Sequence, residues 1–233
     1  MKLGATINRV HKIIGVVFGI QIVFWTLSGF FFTLFPIEQV RGENLLQDIS
    51  HGTLSLEAIA LDATQAAELV DFTPERAELS MLLGTPVWKL EAAQTNAIVN
   101  ARTGAIVSPL SQELALEIAQ KGMKAKAGVP GEPWFLETNP PREYTGPLPA
   151  WVVDYEPGSV RIYIDAQTGA LRTVRTNLWR TFDMFWRVHI MDITGANRID
   201  SWWMKLVSFF SLTLAISGMV LGIDVLRRGR LFR

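Results

Sequence analysis

Two long hydrophobic runs lie near the two ends of the chain, and a segment of mixed hydrophobic and polar residues separates them. The first run, residues 13–35, has no charged residue. At about 1.5 Å per residue, a helix of that length crosses a hydrocarbon layer of about 30 Å. The second run, residues 206–223, follows Trp202 and Trp203, and tryptophan is enriched at membrane interfaces. The pattern predicts two transmembrane helices, at residues 13–35 and 201–223.

The first run is interpreted as a membrane anchor rather than a cleaved signal peptide. It is longer than the roughly 7–15 residues of a signal-peptide core, and no small-x-small cleavage site follows it. Three cations, Lys2, Arg9 and Lys12, precede this run, and four arginines follow the second run. By the positive-inside rule, both termini, residues 1–12 and the basic tail 224–233, are predicted to be cytoplasmic.

The segment between the two spans consists of two similar halves. Residues 86–91 (PVWKLE) correspond to residues 149–154 (PAWVVD), and residues 100–106 (NARTGAI) correspond to residues 165–171 (DAQTGAL). The two offsets, 63 and 65 residues, are nearly equal, which predicts a duplicated unit. Its repeats are expected at about 53–110 and 111–175, inside one exported domain of residues 36–175.

Each repeat has the pattern of a helix followed by an antiparallel meander. Apolar residues at helical spacing predict helices at 54–69 and 111–122, and runs rich in Val, Ile, Tyr and Trp predict strands at 87–93, 96–101, 151–155 and 160–166. A Thr-Gly pair supplies the turn in each half, because glycine tolerates a positive φ. Residues 129–149 contain six prolines and are expected to form an irregular connection. The predicted fold class is therefore an α+β membrane protein.

A further helix is predicted just before the second span. Leu178, Phe182, Phe185 and His189 recur at helical spacing within residues 177–190. This pattern is typical of an amphipathic helix at a membrane surface. We therefore expect residues 176–200 to form an interfacial helix and loop.

The composition excludes several classes of function. Residues 13–223 contain 15 basic and 21 acidic residues, so the central domain is mildly acidic and nucleic-acid binding is not supported. The chain has no cysteine, which excludes disulfides, iron–sulfur clusters and covalent c-type haem. It also lacks a phosphate-binding glycine loop, a nucleophile elbow and a zinc-protease motif. A self-contained hydrolase or transferase is therefore not predicted.

The two halves, ending in "NARTGAIV" and "DAQTGALR", resemble the PepSY domain. The segment "NRVHKIIGVVFGIQIVFWTLSG" is similar to the first membrane helix of the PepSY-associated transmembrane family, and "WRVHIMDITG" with "SLTLAISG" is similar to the region of its next helix. Larger members of that family include siderophore-iron reductases that carry b-type haem on membrane histidines. The resemblance therefore implies a bacterial inner-membrane protein with a periplasmic PepSY-like domain, in a short two-helix form.

The chain contains three histidines, His11, His51 and His189. His51 lies in a loop context and is not a favoured site residue. His11 shares a helical face with Gly15 and Gly19, which predicts a surface for close helix packing. In the alternative interpretation, which the family resemblance favours, the glycines make room for a haem whose iron His11 binds.

His189 shares its face with Phe182 and Phe185, so it is either a core histidine or a second haem ligand with these rings as an apolar wall. The neighbouring Arg9 and Arg187 are candidate partners for haem propionates, or else interface anchors. His11 and His189 should lie near opposite faces of the bilayer, so one chain cannot clamp one haem between them. A homodimer would instead pair each histidine with its own copy.

The leading hypothesis is a dimeric b-type haem protein that carries electrons across the membrane as a haem-dependent oxidoreductase. A quinol is a candidate donor and a ferric chelate a candidate acceptor. The alternative is a non-enzymatic accessory subunit of a larger respiratory or transport complex. In that case the PepSY-like domain forms a periplasmic cap, and Trp134, Phe135, Trp151 and Tyr155 are candidate partner anchors. A third hypothesis, inhibition or sensing of a peptidase, follows only from the domain name.

Overall fold

The computed structural model describes residues 2–49, 57, 59–156, 158–192, 195 and 198–228. His51 and the end of the basic tail lie outside these residues. The helices are α1 (Lys2–Thr33), α2 (Ile37–Val40), α3 (Ala63–Ala67), α4 (Gln112–Gly122), α5 (Asn177–His189) and α6 (Trp202–Arg227). The strands are β1 (Arg76–Leu82), β2 (Thr85–Glu91), β3 (Asn96–Asn100), β4 (Val129–Pro130), β5 (Trp134–Leu136), β6 (Ala150–Glu156), β7 (Val160–Asp165) and β8 (Leu171–Thr176). The chain divides into two compact units, Met1–Pro36 with Thr181–Arg233, and Ile37–Arg180.

The first unit is built on the pair of long helices α1 and α6. Phe18 of α1 stacks on Phe210 of α6 with ring centroids 4.7 Å apart. His11 lies beside Ser217, so the two helices run antiparallel. Each contains a segment long and apolar enough to span a membrane, Ala5–Thr33 and Trp202–Arg227. The two predicted spans are confirmed as apolar helices. Helix α1 begins well before the predicted start and α6 continues past the predicted end, because a membrane edge does not end a helix. Helix α1 stops two residues before the predicted end, since Pro36 prevents it from continuing.

Helix α5 covers the last turns of α1 with aromatic contacts. Phe31 stacks on Phe185 at 4.4 Å between ring centroids, and Phe32 contacts Phe182 at 4.6 Å. The apolar face predicted for the amphipathic helix α5 is thus the face that packs against α1.

The second unit contains two antiparallel sheets. One has the order β1-β2-β3, and the other has the order β4-β6-β7-β8 with β5 also paired to β6. The main core joins the two sheets to α4 and includes Val87, Ile98, Ile118, Ile162 and Ile164. Helix α4 starts at Ser111, whose hydroxyl accepts a hydrogen bond from the backbone N–H of Leu114, the expected arrangement at a helix N-terminus.

The duplication is visible in the turns. The Oδ1 atoms of Asn100 and Asp165 each accept two backbone N–H groups from the residues two and three positions on. Gly104 and Gly169 follow with φ of 73° and 69°, a left-handed conformation that glycine adopts without strain. The Thr-Gly turns predicted from the repeat therefore have the same geometry in both halves.

A second pair of equivalent contacts ties each meander to its helix. The indole N–H of Trp88 donates to the carbonyl of Leu61 at 2.9 Å, and that of Trp151 donates to the carbonyl of Leu110 at 2.9 Å. In both cases the acceptor directly precedes the N-cap residue of the following helix, α3 or α4. The two repeats thus share equivalent hydrogen bonds as well as similar sequence motifs.

The elements differ from the predicted ones in three respects. The helix predicted at 54–69 lies partly outside the described residues. Within them it is confined to α3, because Asp62 caps its N-terminus through a capping box with Gln65. Strands β1, β4, β5 and β8 were not among the predicted strands. The Pro-rich connection 129–149 is irregular over most of its length but contributes β4 and β5 to the edge of β6.

Candidate functional site

His11 lies on α1 and points at α6. Its Nδ1 is 2.8 Å from the hydroxyl oxygen of Ser217, and the Ser217 hydroxyl also donates to the carbonyl of Leu214 at 2.9 Å. The ring rests on Gly218, where an added Cβ would lie 3.1 Å from the imidazole Cε1. Gly218 therefore leaves the space that the imidazole occupies.

His189 has the same kind of partner at the other end of the helix pair. Its Nδ1 is 2.8 Å from the hydroxyl oxygen of Ser28, a residue that is only 1% exposed. The Ser28 hydroxyl donates to the carbonyl of Phe24 at 2.6 Å. The last residue of α5 is thereby tied to α1 through its side chain.

Aromatic rings surround the His189 imidazole. Phe32 lies edge-on at 5.5 Å and Trp186 is stacked at 6.3 Å between ring centroids. The indole N–H of Trp25 donates to the His189 carbonyl at 2.6 Å. Burial among these groups lowers the pKa of His189 below its ordinary value, because an apolar environment disfavours the charged imidazolium. The neutral imidazole is therefore the favoured form.

One assignment of protons satisfies both histidine sites. If each serine hydroxyl donates to its helix carbonyl, its oxygen is left to accept the imidazole Nδ1–H. This tautomer puts the lone pair on Nε2, the atom on the other side of the ring. We assign this tautomer to His11 and to His189. Histidines that bind metals in proteins are held in the same way, with the second ring nitrogen donating to a protein group.

The two histidines do not come together. Positions 11 and 28 of α1 are separated by about 26 Å at roughly 1.5 Å per residue, and His189 lies at the level of position 28. This separation agrees with the prediction that one chain cannot hold one haem between its own two histidines.

The other predicted site residues take different positions. Gly15 faces α6, where an added Cβ would lie 3.6 Å from Leu214 Cδ1, whereas an added Cβ at Gly19 would have no atom within 4 Å. The two glycines therefore do not form a single packed surface with His11. Phe182 and Phe185 pack against the aromatic rings near the end of α1, and their role as the wall of a haem site stays a prediction. Arg9 and Arg187 are exposed.

Polar atoms also lie between the two histidine levels. The side-chain amide nitrogen of Gln21 and the hydroxyl of Ser211 are buried without a hydrogen-bond partner among the described residues. Beside Ser217, an apolar groove of about 350 Å³ opens between α1 and α6, with Ile7, Val10 and Ile216 in its lining. Ser28 and Ser217 were missed as site residues, because a small hydroxyl in an apolar helix carries no signal until its partner is known.

The described residues contain no group of three or more histidine, aspartate or glutamate side chains arranged to hold a metal ion. The candidate ligands are thus single imidazoles.

Comparison with protein families finds one match. Residues 109–175 match the family "Peptidase propeptide and YPEB domain", abbreviated PepSY. The matched segment is the second repeat, from the residues before α4 to β8, and it confirms the resemblance drawn from the Thr-Gly motifs. The chain therefore carries a PepSY domain between two candidate membrane helices, an arrangement consistent with a PepSY-associated transmembrane protein. No curated protein and no solved structure matches the chain.

Proposed function

We propose that this protein is a homodimeric b-type haem protein of a bacterial inner membrane, which carries electrons across the bilayer to an acceptor such as a ferric chelate. Both termini are cytoplasmic in this proposal, and the PepSY domain is periplasmic. The observation that carries it is the shared environment of His11 and His189, each with Nδ1 bound to a serine and Nε2 left as the ligand atom.

The residues of the helix pair fit a b-type haem. Such a haem requires an imidazole lone pair and no cysteine, and both histidines offer Nε2. The pKa of His189 is lowered, so protons compete weakly for its lone pair. At His11, Gly218 gives the ring space against α6. When bound, haem supplies a one-electron carrier whose potential depends on its axial ligands and surroundings.

The remaining residues orient the ligands and exclude water. Ser217 and Ser28 fix the rotation of the two imidazoles. Phe32 and Trp186 form an apolar wall around His189, and the exposed Arg9 and Arg187 are available to bind propionates. A two-fold axis along the membrane normal pairs each histidine with its copy in a second chain. This gives one haem site near each face, and the four helices resemble a bundle with cofactors in its interior.

The proposal is tested by purifying the full chain in mild detergent from cells supplied with haem. A dithionite-reduced minus air-oxidised spectrum with b-type bands and about one haem per chain is expected, since two chains share two haems. His11→Ala and His189→Ala should each remove half of the haem, whereas His51→Ala should remove none. Folded protein without haem, or full haem in both variants, would refute the proposal.

A competing proposal is the accessory subunit, and exposed aromatic side chains favour it. Trp134 and Phe135 are 40% and 38% exposed, and large exposed aromatics are typical anchors of protein interfaces. Tyr155, another candidate anchor, is 1% exposed and donates its hydroxyl to the carbonyl of Ala119, so it belongs to the core. Colourless protein that copurifies with a larger complex would support this function instead.

A further inference from the structure

Part of the Pro-rich connection, residues 137–149, lies across one face of the second sheet. Tyr144 stacks on Tyr163 of β7 with ring centroids 4.4 Å apart and an interplanar angle of 8°. With Leu136, Ala150 and Val152, these two rings form a separate small core. We call residues 137–149 the strap. None of its residues belongs to a strand, so it is held to the sheet mainly by side-chain contacts, together with a backbone hydrogen bond from Ala166 N–H to the carbonyl of Pro149 at 3.2 Å.

Glu143 of the strap is the point where the charges of this face converge. Its carboxylate accepts from Arg161 Nη1 at 3.3 Å, from the Tyr163 hydroxyl at 2.9 Å and from Arg180 Nε at 3.2 Å. Its backbone carbonyl accepts from Arg175 Nε at 2.6 Å. One carboxylate thus takes up donors from two arginines and a phenol, with a third arginine beside it.

Each of these arginines is also held by a group other than Glu143. Arg161 forms a two-point contact with Asp154, at 2.6 Å and 3.2 Å, and also lies over the ring of Trp134.

The other two arginines are held in a similar way. Arg175 lies over the ring of Trp179, with its Cζ 4.0 Å from the centroid. Arg180 donates to the carbonyl of Ser159 and to Asn177 Oδ1. The three guanidinium groups therefore keep their positions without the Glu143 carboxylate, which makes Glu143 the replaceable member of the cluster.

We infer that Arg161, Tyr163, Arg175 and Arg180 form a binding site for a small polycarboxylate anion, with the Glu143 carboxylate as its internal occupant. An incoming carboxylate takes the place of Glu143, and the strap moves aside. This inference does not depend on haem.

The charge of the site and the protonation state of Tyr163 both suit a polycarboxylate ligand. The site contains three arginines and only two carboxylates, Glu143 and Asp154, so removal of Glu143 leaves a clear positive excess. Burial raises the pKa of Tyr163 to about 12, and its hydroxyl therefore remains a donor at neutral pH. Arginine forks and a phenol hydroxyl match the two oxygens of a carboxylate. The side chains of Arg161 and Arg180 are 30% and 36% exposed, so a ligand can reach them from solvent.

The test is calorimetric titration of the full-length protein in detergent with citrate, with acetate at equal ionic strength as the monovalent control. Glu143→Gln keeps the shape of the side chain and removes its charge. It should bind citrate roughly tenfold or more tightly than the wild type, because a charged internal competitor is lost. The matched control is Glu137→Gln, an exposed carboxylate on the same strap, which should bind as the wild type does.

Two further variants make the outcome decisive. Arg180→Gln added to Glu143→Gln should abolish the gain in citrate affinity. If Glu143→Gln fails to fold, Arg180→Gln is tested alone in the wild-type background. It should lose citrate binding, whereas the control Arg198→Gln, at an exposed arginine, should not. Equal citrate binding by folded Glu143→Gln and Glu137→Gln overturns the inference. Unchanged citrate binding by the Arg180→Gln variants also overturns the inference.

Discussion

Replacing the two serines that hold the histidines tests the proposed haem sites most directly. Ser217→Ala and Ser28→Ala each remove the acceptor of an imidazole Nδ1–H, at 2.8 Å in both cases. One such hydrogen bond contributes about 1 kcal/mol, a factor of about five in affinity, and loss of a hydrogen bond to a metal-binding histidine typically costs 10–100-fold. We expect haem to be lost about tenfold faster from each variant.

The two serines should not behave identically. Ser28 is almost fully buried, so Ser28→Ala also leaves the Nδ1–H of His189 without solvent as a substitute partner. The larger effect is expected there. Ser217→Thr retains a hydroxyl at the same position and should keep most of the wild-type haem affinity.

The assay is the rate of haem transfer from detergent-solubilised protein to excess apomyoglobin, together with the midpoint potential of the haem that remains. Ser208→Ala, an exposed serine on the same helix α6, is the matched control. Wild-type transfer rates and potentials in both Ser217→Ala and Ser28→Ala would refute the assigned tautomer. The His11 and His189 variants would still report separately on haem binding itself.

Three other substitutions test further parts of the structure. Asp165→Ala should destabilise the PepSY domain by about 3 kcal/mol in urea unfolding, because it removes the buried carboxylate that accepts from two backbone N–H groups and from Arg172. Asn100→Ala, which removes a neutral acceptor and no ion pair, should cost about 1 kcal/mol. The pKa of His189 is lower in the folded protein, so its contribution to stability is present above about pH 6.5 and declines as the pH falls below that value. The thermal midpoint should therefore drop between about pH 7 and 5, and less so in His189→Gln; equal slopes would contradict the assignment. Gly218→Val should displace the His11 imidazole, whose Cε1 would lie 3.1 Å from the new Cβ, and lower the haem content, whereas Gly222→Val, with no atom within 4 Å, should not.

The features that the sequence predicted well are those written in contiguous residues. The spans follow from uncharged runs, and the two turns follow from seven-residue segments that repeat around Asn100 and Asp165. The face of α5 follows from a simple helical period. In each case the interactions that determine the structure lie within a short stretch of consecutive residues, so the sequence alone is enough to predict it.

The features that escaped prediction depend on distant parts of the chain. His11 and Ser217, or Ser28 and His189, meet only when the register between the helices is known, and no periodic pattern encodes that register. Glu143 lies among prolines in a segment expected to be irregular, and its role depends on three arginines brought to it by the sheet and by the start of α5. At Gly19 an added Cβ would have no atom within 4 Å, because a Gly-xxx-Gly spacing describes an available surface and does not specify what occupies it.

The pairing of α1 with α6 has a consequence for biosynthesis. At about 5–20 residues per second, translation requires roughly 10–30 s to pass from the end of α1 to the start of α6. During this interval His11, Gln21 and Ser28 are in or near the bilayer before their neighbours on α5 and α6 exist. A newly made α1 thus carries polar groups in an apolar surrounding before the rest of the chain supplies their contacts. Truncation of the gene before α6 should therefore yield a chain that is degraded rapidly, even though its PepSY domain is complete.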